Sequence, residues 1–227
     1  MSVLFDNWDL LLVAFAHTVL LFLIAGLLSL LFGTLLAAMR VGPIGVLRKA
    51  AGVFVTLVRN TPLLILLVFF RIAGPKIGIQ FNWVDIVWGD IRMTAFFAAG
   101  AVALTLYTSA FVCEAIRSGI NAVPVGQAEA ARAIGLTFAQ SMREVILPQA
   151  FRGAVAPLGS VLIALTKNTT VASIIGVAEA SLLMKTIIEN ETASVTVFMV
   201  FAIGFVILTL PVGLLFTSLS RRLAVKR

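Results

Sequence analysis

Two cations stand inside otherwise apolar stretches of this chain, and they are the side chains best placed to do chemistry. Arg59 is followed by Asn60, Thr61 and Pro62, and Lys167 by Asn168, Thr169 and Thr170. A guanidinium or ammonium group in an apolar setting attracts a carboxylate, and nearby hydroxyl and amide groups can complete its hydrogen bonds. That chemistry is recognition, with no covalent step. The chain has no Gly-rich phosphate loop ending in Lys-Ser or Lys-Thr, so it is not expected to hydrolyse ATP itself. One histidine and one cysteine offer no metal-ligand spacing.

The elements that must hold these cations are membrane spans. Of 227 residues, 61% are hydrophobic and only 12% charged, against about a quarter charged in an ordinary soluble domain. Mean hydropathy is +1.11. Crossing a bilayer takes roughly 20 apolar residues, and five segments qualify. They lie between Asp9 and Arg40, Ala50 and Phe70, Arg92 and Glu114, Gly153 and Ala178, and Glu191 and Arg221. Arg59 interrupts the second and Lys167 the fourth. At 1.5 Å per residue these positions are roughly 13 and 20 Å deep. A cation on a helix centre costs on the order of 2.5–3.5 kcal/mol, so it normally faces a bundle interior or a wet cavity. Pro62 tends to bend its helix, and broken helices with polar groups near the midplane are common substrate sites in transporters. The other reading is structural, with both cations tied to backbone carbonyls or to a carboxylate such as Glu114.

Charge placement sets the expected topology. Arg40, Arg48, Lys49, Arg117, Arg132, Arg143, Arg152, Arg221, Arg222, Lys226 and Arg227 fall on one side of the five spans. Only Arg71, Lys76, Arg92 and Lys185 fall on the other. The positive-inside bias predicts N-out/C-in, with Trp8, Trp83 and Trp88 at the outer interface. This topology accounts for the net charge of +7 without nucleic acid, because the basic residues form no contiguous patch. The first apolar run lacks a basic flank and a cleavage site and reads as a retained span. Cys113 reads as a small buried hydrophobe and His17 as a hydrogen-bonded packing residue. The loop at 74–92 is expected along the outer surface. Glu179, Glu189 and Glu191, near the outer face, suit either a partner protein or a solvated rim.

Between the third and fourth spans lies a polar, Ala-rich island, residues 126–152. Pro124 suits a first helical turn, and Gly135 suits a left-handed stop. Thr137 with Gln140 spells a capping box that restarts a second helix running to about Leu147, before Pro148. Ala128, Ala130 and Ala131 keep the first helix thin, so that with Glu129 exposed it can enter a groove on another protein.

Here the sequence resembles a known family. Glu129-Ala130-Ala131, then Gly135, then Val145-Ile146-Leu147-Pro148 is similar to the Glu-Ala-Ala loop of bacterial ABC importer permeases, with Val145 where Ile is usual. RNTPLL at 59–64, with Asn60 in place of Gly, resembles the polar amino-acid branch. So do AFVCEAIRSGINAVPVGQAEAA at 110–131, ILPQAFR at 146–152 and PLGSVLIALTKNTTVASIIGVAEA at 157–180. The stretch at 164–185 and the RRLAVKR tail look most like permeases of actinobacterial glutamate importers.

That resemblance implies an all-α integral membrane permease, one domain over 1–227 in the bacterial cytoplasmic membrane. Its coupling helix would lie between spans three and four, within a loop at about 120–148. It assigns ATPase coupling to Gly126, Gln127, Glu129, Ala130, Ala131, Gly135, Leu147 and Pro148. Arg59, Asn60, Thr61, Lys167, Asn168, Thr169 and Thr170 would line the substrate pathway. The implied partners are ABC ATPase subunits, a second permease (a paralogue or the same chain), an extracellular solute-binding protein and an amino acid, with glutamate foremost. No cofactor is expected on this chain; ATP and Mg belong to the ATPase. The competing class is an ion-coupled carrier or channel for small anionic solutes, which five spans without an inverted repeat fit poorly.

Overall fold

The computed structural model describes residues 8–190 and 194–223. Glu191, Lys226 and Arg227 of the sequence reading lie outside the described residues. The protein is built almost wholly from helices. Helix α1 is Trp8–Val41. Helix α2, Gly45–Asn60, is followed after a break by α3, Leu63–Val68, which runs on through a π-turn at Phe69–Ala73 and a 3-10 turn at Gly74–Ile77. Strands β1, Ile86–Trp88, and β2, Ile91–Met93, precede α4, Ala95–Asn121. Helix α5 is Val125–Ala133, and α6 is the single turn Phe138–Gln140, which leads through a π-stretch at Ser141–Ile146 into α7, Leu147–Asn168. A 3-10 segment at Thr169–Ile175, α8 at Ala180–Asn190 and α9 at Ser194–Leu223 complete the described chain.

Among the described residues, four helical stretches are long and apolar enough to cross a membrane: Trp8–Val41, Ala95–Asn121, Phe138–Ile175 and Val195–Leu223. The second expected span is not straight. Its halves, Gly45–Asn60 and Leu63–Ile77, are bent by 103° relative to one another and make a fifth crossing only as a bent pair. Pro62, which has no N–H to give and restricts the residue before it, explains the break. Thr61 is accordingly extended, at φ −97° and ψ 127°.

Helix α4 is central. Its small residues, among them Ala103, Ser109, Ala110 and Ala115, are buried, and small side chains let backbones approach where no hydrophobic force separates lipid from protein. A Cβ on Gly33 of α1 would stand 2.8 Å from the Ser109 carbonyl oxygen, so only glycine permits that crossing. The main core gathers Leu21, Leu104 and Leu165 from the long helices, Leu67 from α3 and Ala172 from the 3-10 segment. Helix α9 turns Phe198, Ile203, Ile207, Leu210 and Leu214 outward, as expected of a lipid-facing helix.

The segment expected as a loop along the outer surface contains an antiparallel hairpin pairing Ile86 with Met93 and Trp88 with Ile91. Gly89, at φ +59°, occupies the first turn position, where a tight hairpin needs a positive φ. Arg92 donates two hydrogen bonds to Asp85, at 2.8 and 2.9 Å, and that guanidinium holds the Asp85 carboxyl below its ordinary value.

Candidate functional site

The Ala-rich island folds as a capped helical hairpin. Helix α5 ends in a Schellman turn: Leu136 N–H donates to the Ala131 carbonyl at 3.1 Å and Gly135 N–H to that of Arg132 at 2.9 Å, with Gly135 at φ +85°. The expected capping box is present. Gln140 N–H donates to Thr137 Oγ1 at 3.3 Å, and Thr137 N–H donates to Gln140 Oε1 at 2.9 Å. The second helix does not stop before Pro148, however. The π-stretch at Ser141–Ile146 widens the turn, so that the missing Pro148 N–H and the bulk of its ring are absorbed and α7 continues.

Among the residues assigned to this loop, Gly126, Gln127, Glu129, Ala130, Gly135, Leu147 and Pro148 are exposed, whereas Ala131 is buried. Glu129 and Ala130 therefore belong to the outward face, and Ala131 to the seat of the helix on the protein. Sequence reasoning missed Val125, Ile134 and Phe138, which are 73%, 78% and 56% exposed. Their signal was available, since large apolar residues in a polar loop mark a contact surface. The long helices that flank the hairpin pack closely on each other: a Cβ on Gly119 of α4 would collide with the Ala150 carbonyl of α7 and lie 2.8 Å from Ala154 Cβ.

The two cation-bearing segments remain apart in role. Asn60 Nδ2 donates to the Thr56 carbonyl and Thr61 Oγ1 to that of Leu57, both at 2.8 Å. These groups cap the broken end of α2. Thr169 and Thr170 likewise donate to the carbonyls of Thr166 and Lys167, each at 2.7 Å. Lys167 is exposed at the end of α7. Arg59 Nη1 stands 3.7 Å from Glu114 Oε1, the carboxylate tie that the structural reading named, and its guanidinium carbon is 5.8 Å from the centre of the Phe111 ring.

Phe111 and Tyr107, with ring centres 5.0 Å apart, line a cavity of about 360 Å³ between α4 and α7, together with Thr108, Ser160, Ala164 and Asn168. Asn168 is the one expected pathway residue on its wall. Thr108, 2% exposed, has no hydrogen-bond partner for its hydroxyl among the described residues. An orphaned buried hydroxyl is costly unless something polar visits it. Tyr107, Thr108, Phe111 and Ser160 were not singled out from sequence, because only packing shows that α4 and α7 leave space there.

His17 is buried and in contact with backbone carbonyls, those of Val13 at 2.9 Å and Arg92 at 3.2 Å. Glu179 is not on a solvated rim. It is fully buried, and its carboxylate accepts from Ser181 and Leu182 N–H at 2.9 and 3.0 Å, capping α8.

The family of binding-protein-dependent transport system inner membrane components matches over residues 29–225. The glutamate transport system permease protein GluC of Corynebacterium glutamicum is 47% identical over 223 residues, covering 96% of this chain and 95% of that protein. A Bacillus subtilis protein named "Probable glutamine ABC transporter permease protein GlnM" is 36% identical, over 98% and 97% of the two chains. Among solved structures, that of an amino acid ABC transporter with histidines superposes with a TM-score of 0.83 at 29% identity and 97% coverage of both chains.

Proposed function

Because this chain belongs to the family of binding-protein-dependent transport system inner membrane components, we propose that it is the permease subunit of an ATP-driven importer that carries glutamate across the cytoplasmic membrane. The observation that carries this reading is the relation to a glutamate permease along nearly the whole length of both proteins. The exposed hairpin is what such a subunit requires, a rigid, capped projection with Glu129 and an apolar fringe facing outward.

In this proposal the chain forms one permease domain, with its N-terminus outside and its C-terminus inside. The hairpin at about 120–148 lies in the cytoplasm, in a cleft of an ATPase subunit that binds ATP and Mg. A second permease, a paralogue or the same chain, completes the pathway, and a solute-binding protein delivers the amino acid from outside. Closure of the ATPase pair moves the hairpins, and the spans exchange inward-open for outward-open states. That exchange needs a partner whose two states bind the hairpins unequally. Arg59, beside the Phe111 ring that lines the cavity, would meet the substrate carboxylate, and Asn168 and Thr108 would meet its polar groups. Glutamine is the second reading, favoured by the Bacillus relative.

Proteoliposomes holding the permease pair, the ATPase and the binding protein should take up labelled glutamate only with ATP inside the ATPase compartment. Unlabelled glutamate should compete better than glutamine. Uptake driven by an ion gradient without ATP would defeat the importer reading, and stronger competition by glutamine would move the substrate to the amide.

A further inference from the structure

The three guanidinium groups around Glu114 come from three helices. Arg40 sits at the end of α1 and pairs with Glu114 Oε1. Arg59 closes α2 and approaches that same oxygen at 3.7 Å, while Arg117, one turn along α4, donates to Oε2 at 3.2 Å. One carboxylate thus faces three cations, and the cluster keeps an excess of positive charge.

The three contacts are unequal. Arg40 is the least exposed, at 18%, and is hydrogen-bonded; Arg117 is hydrogen-bonded from the same helix. Arg59 is the most exposed, at 45%, and stands beyond hydrogen-bond length. No hydrogen bond ties it to Glu114, and an ion pair at such exposure is the contact most readily exchanged. Without the Glu114 carboxylate, Arg40 and Arg117 would repel Arg59 from its place beside Phe111, whose ring also lines the cavity between α4 and α7. We propose that Glu114 is a positioning residue that holds Arg59 at the break of the second span and exchanges it with the carboxylate of a passing substrate. The substrate takes Arg59 while it occupies the cavity. The return of Arg59 to Glu114 then releases the substrate.

This inference rests on the importer reading, and its test separates the two. Wild type and the variants Glu114→Gln, Glu114→Asp, Arg59→Gln and Glu114→Gln/Arg59→Gln are reconstituted with ATPase, second permease and saturating loaded binding protein. Turnover of glutamate and the number of ATP consumed per glutamate are measured. Glu114→Gln should lower turnover at least about five-fold, the factor that a coupling of about 1 kcal/mol makes at 25 °C. Glu114→Asp should recover most of it. The double variant should be no slower than Arg59→Gln alone, because each residue acts through the other.

Losses that multiply in the double variant, or an unchanged Glu114→Gln turnover, overturn the proposal while leaving the importer intact. A wild type without ATP-driven uptake overturns both. If Glu114→Gln fails to assemble, Arg59→Gln carries the test: it should itself lower turnover at least about five-fold, and an unchanged Arg59→Gln turnover overturns the proposal.

Discussion

Glu179 illustrates how one carboxylate changes meaning with its surroundings. From its place in the chain it could be a rim charge; in the fold it is buried beside Thr18, whose hydroxyl accepts from Ala180 N–H at 3.0 Å. Loss of water pushes its carboxyl up to about 7, against the pull of the Ser181 and Leu182 amides. The ordinary value is 4.5. Between these values the folded protein binds a proton that the unfolded chain has released. The stabilising contribution is therefore whole below about pH 4.5 and lost as pH rises through about 7. Thermal unfolding of the purified protein should show a Tm that falls over this window in wild type and stays nearly level in Glu179→Gln. Equal slopes in the two proteins would mean that Glu179 is ionised throughout.

At the scale of the element, the hairpin separates two kinds of alanine. Ala130 is on the exposed face and Ala131 is buried, although both belong to one motif. Ala131→Leu should cost about 1–3 kcal/mol by overpacking and loosen the hairpin, readable as faster proteolysis between α5 and α7. Glu129→Lys should leave stability and membrane insertion unchanged but reduce ATPase co-purification and uptake at least about ten-fold, as a central interface residue does. Gly135→Asp should also reduce co-purification and uptake, in its case by destabilising the turn, because Gly135 holds φ +85°, where a side chain costs on the order of 1–2 kcal/mol. Full ATPase recovery with both exposed-face variants would remove the hairpin from the coupling path. The bent second span belongs to this scale as well. An apolar run interrupted by Arg59-Asn60-Thr61-Pro62 is legible as broken, but the 103° angle depends on how its halves pack against α1 and α4.

For the whole molecule, the proposed orientation places the hairpin and the Arg40–Arg59–Glu114–Arg117 cluster toward the cytoplasm, and the β1–β2 turn and α8 outside. A tag at the N-terminus should therefore be labelled by an impermeant reagent in intact cells, and one at the C-terminus only after permeabilisation. The reverse pattern would invert every assignment of face to partner. Close backbone contact between Gly119 and the start of α7 packs together the two helices that flank the hairpin. Motion received at α5 would thus reach the helix that carries Glu114, Phe111 and Thr108.

Local chemistry was legible in the residues themselves. The membrane class, the caps at Gly135 and Thr137, the break at Pro62 and the family of the loop all depend on composition or on groups within a few positions of one another, where hydrogen bonds and steric limits act along the chain. What needed the tertiary structure was everything decided by which faces meet. Packing gathers Arg40, Arg59 and Arg117 on one carboxylate, leaves a cavity beside Thr108, sinks Glu179 and turns Ala131 inward. These outcomes follow from helix crossings set by small residues such as Gly33 and Gly119, and a linear pattern of apolar spans does not specify which crossings occur.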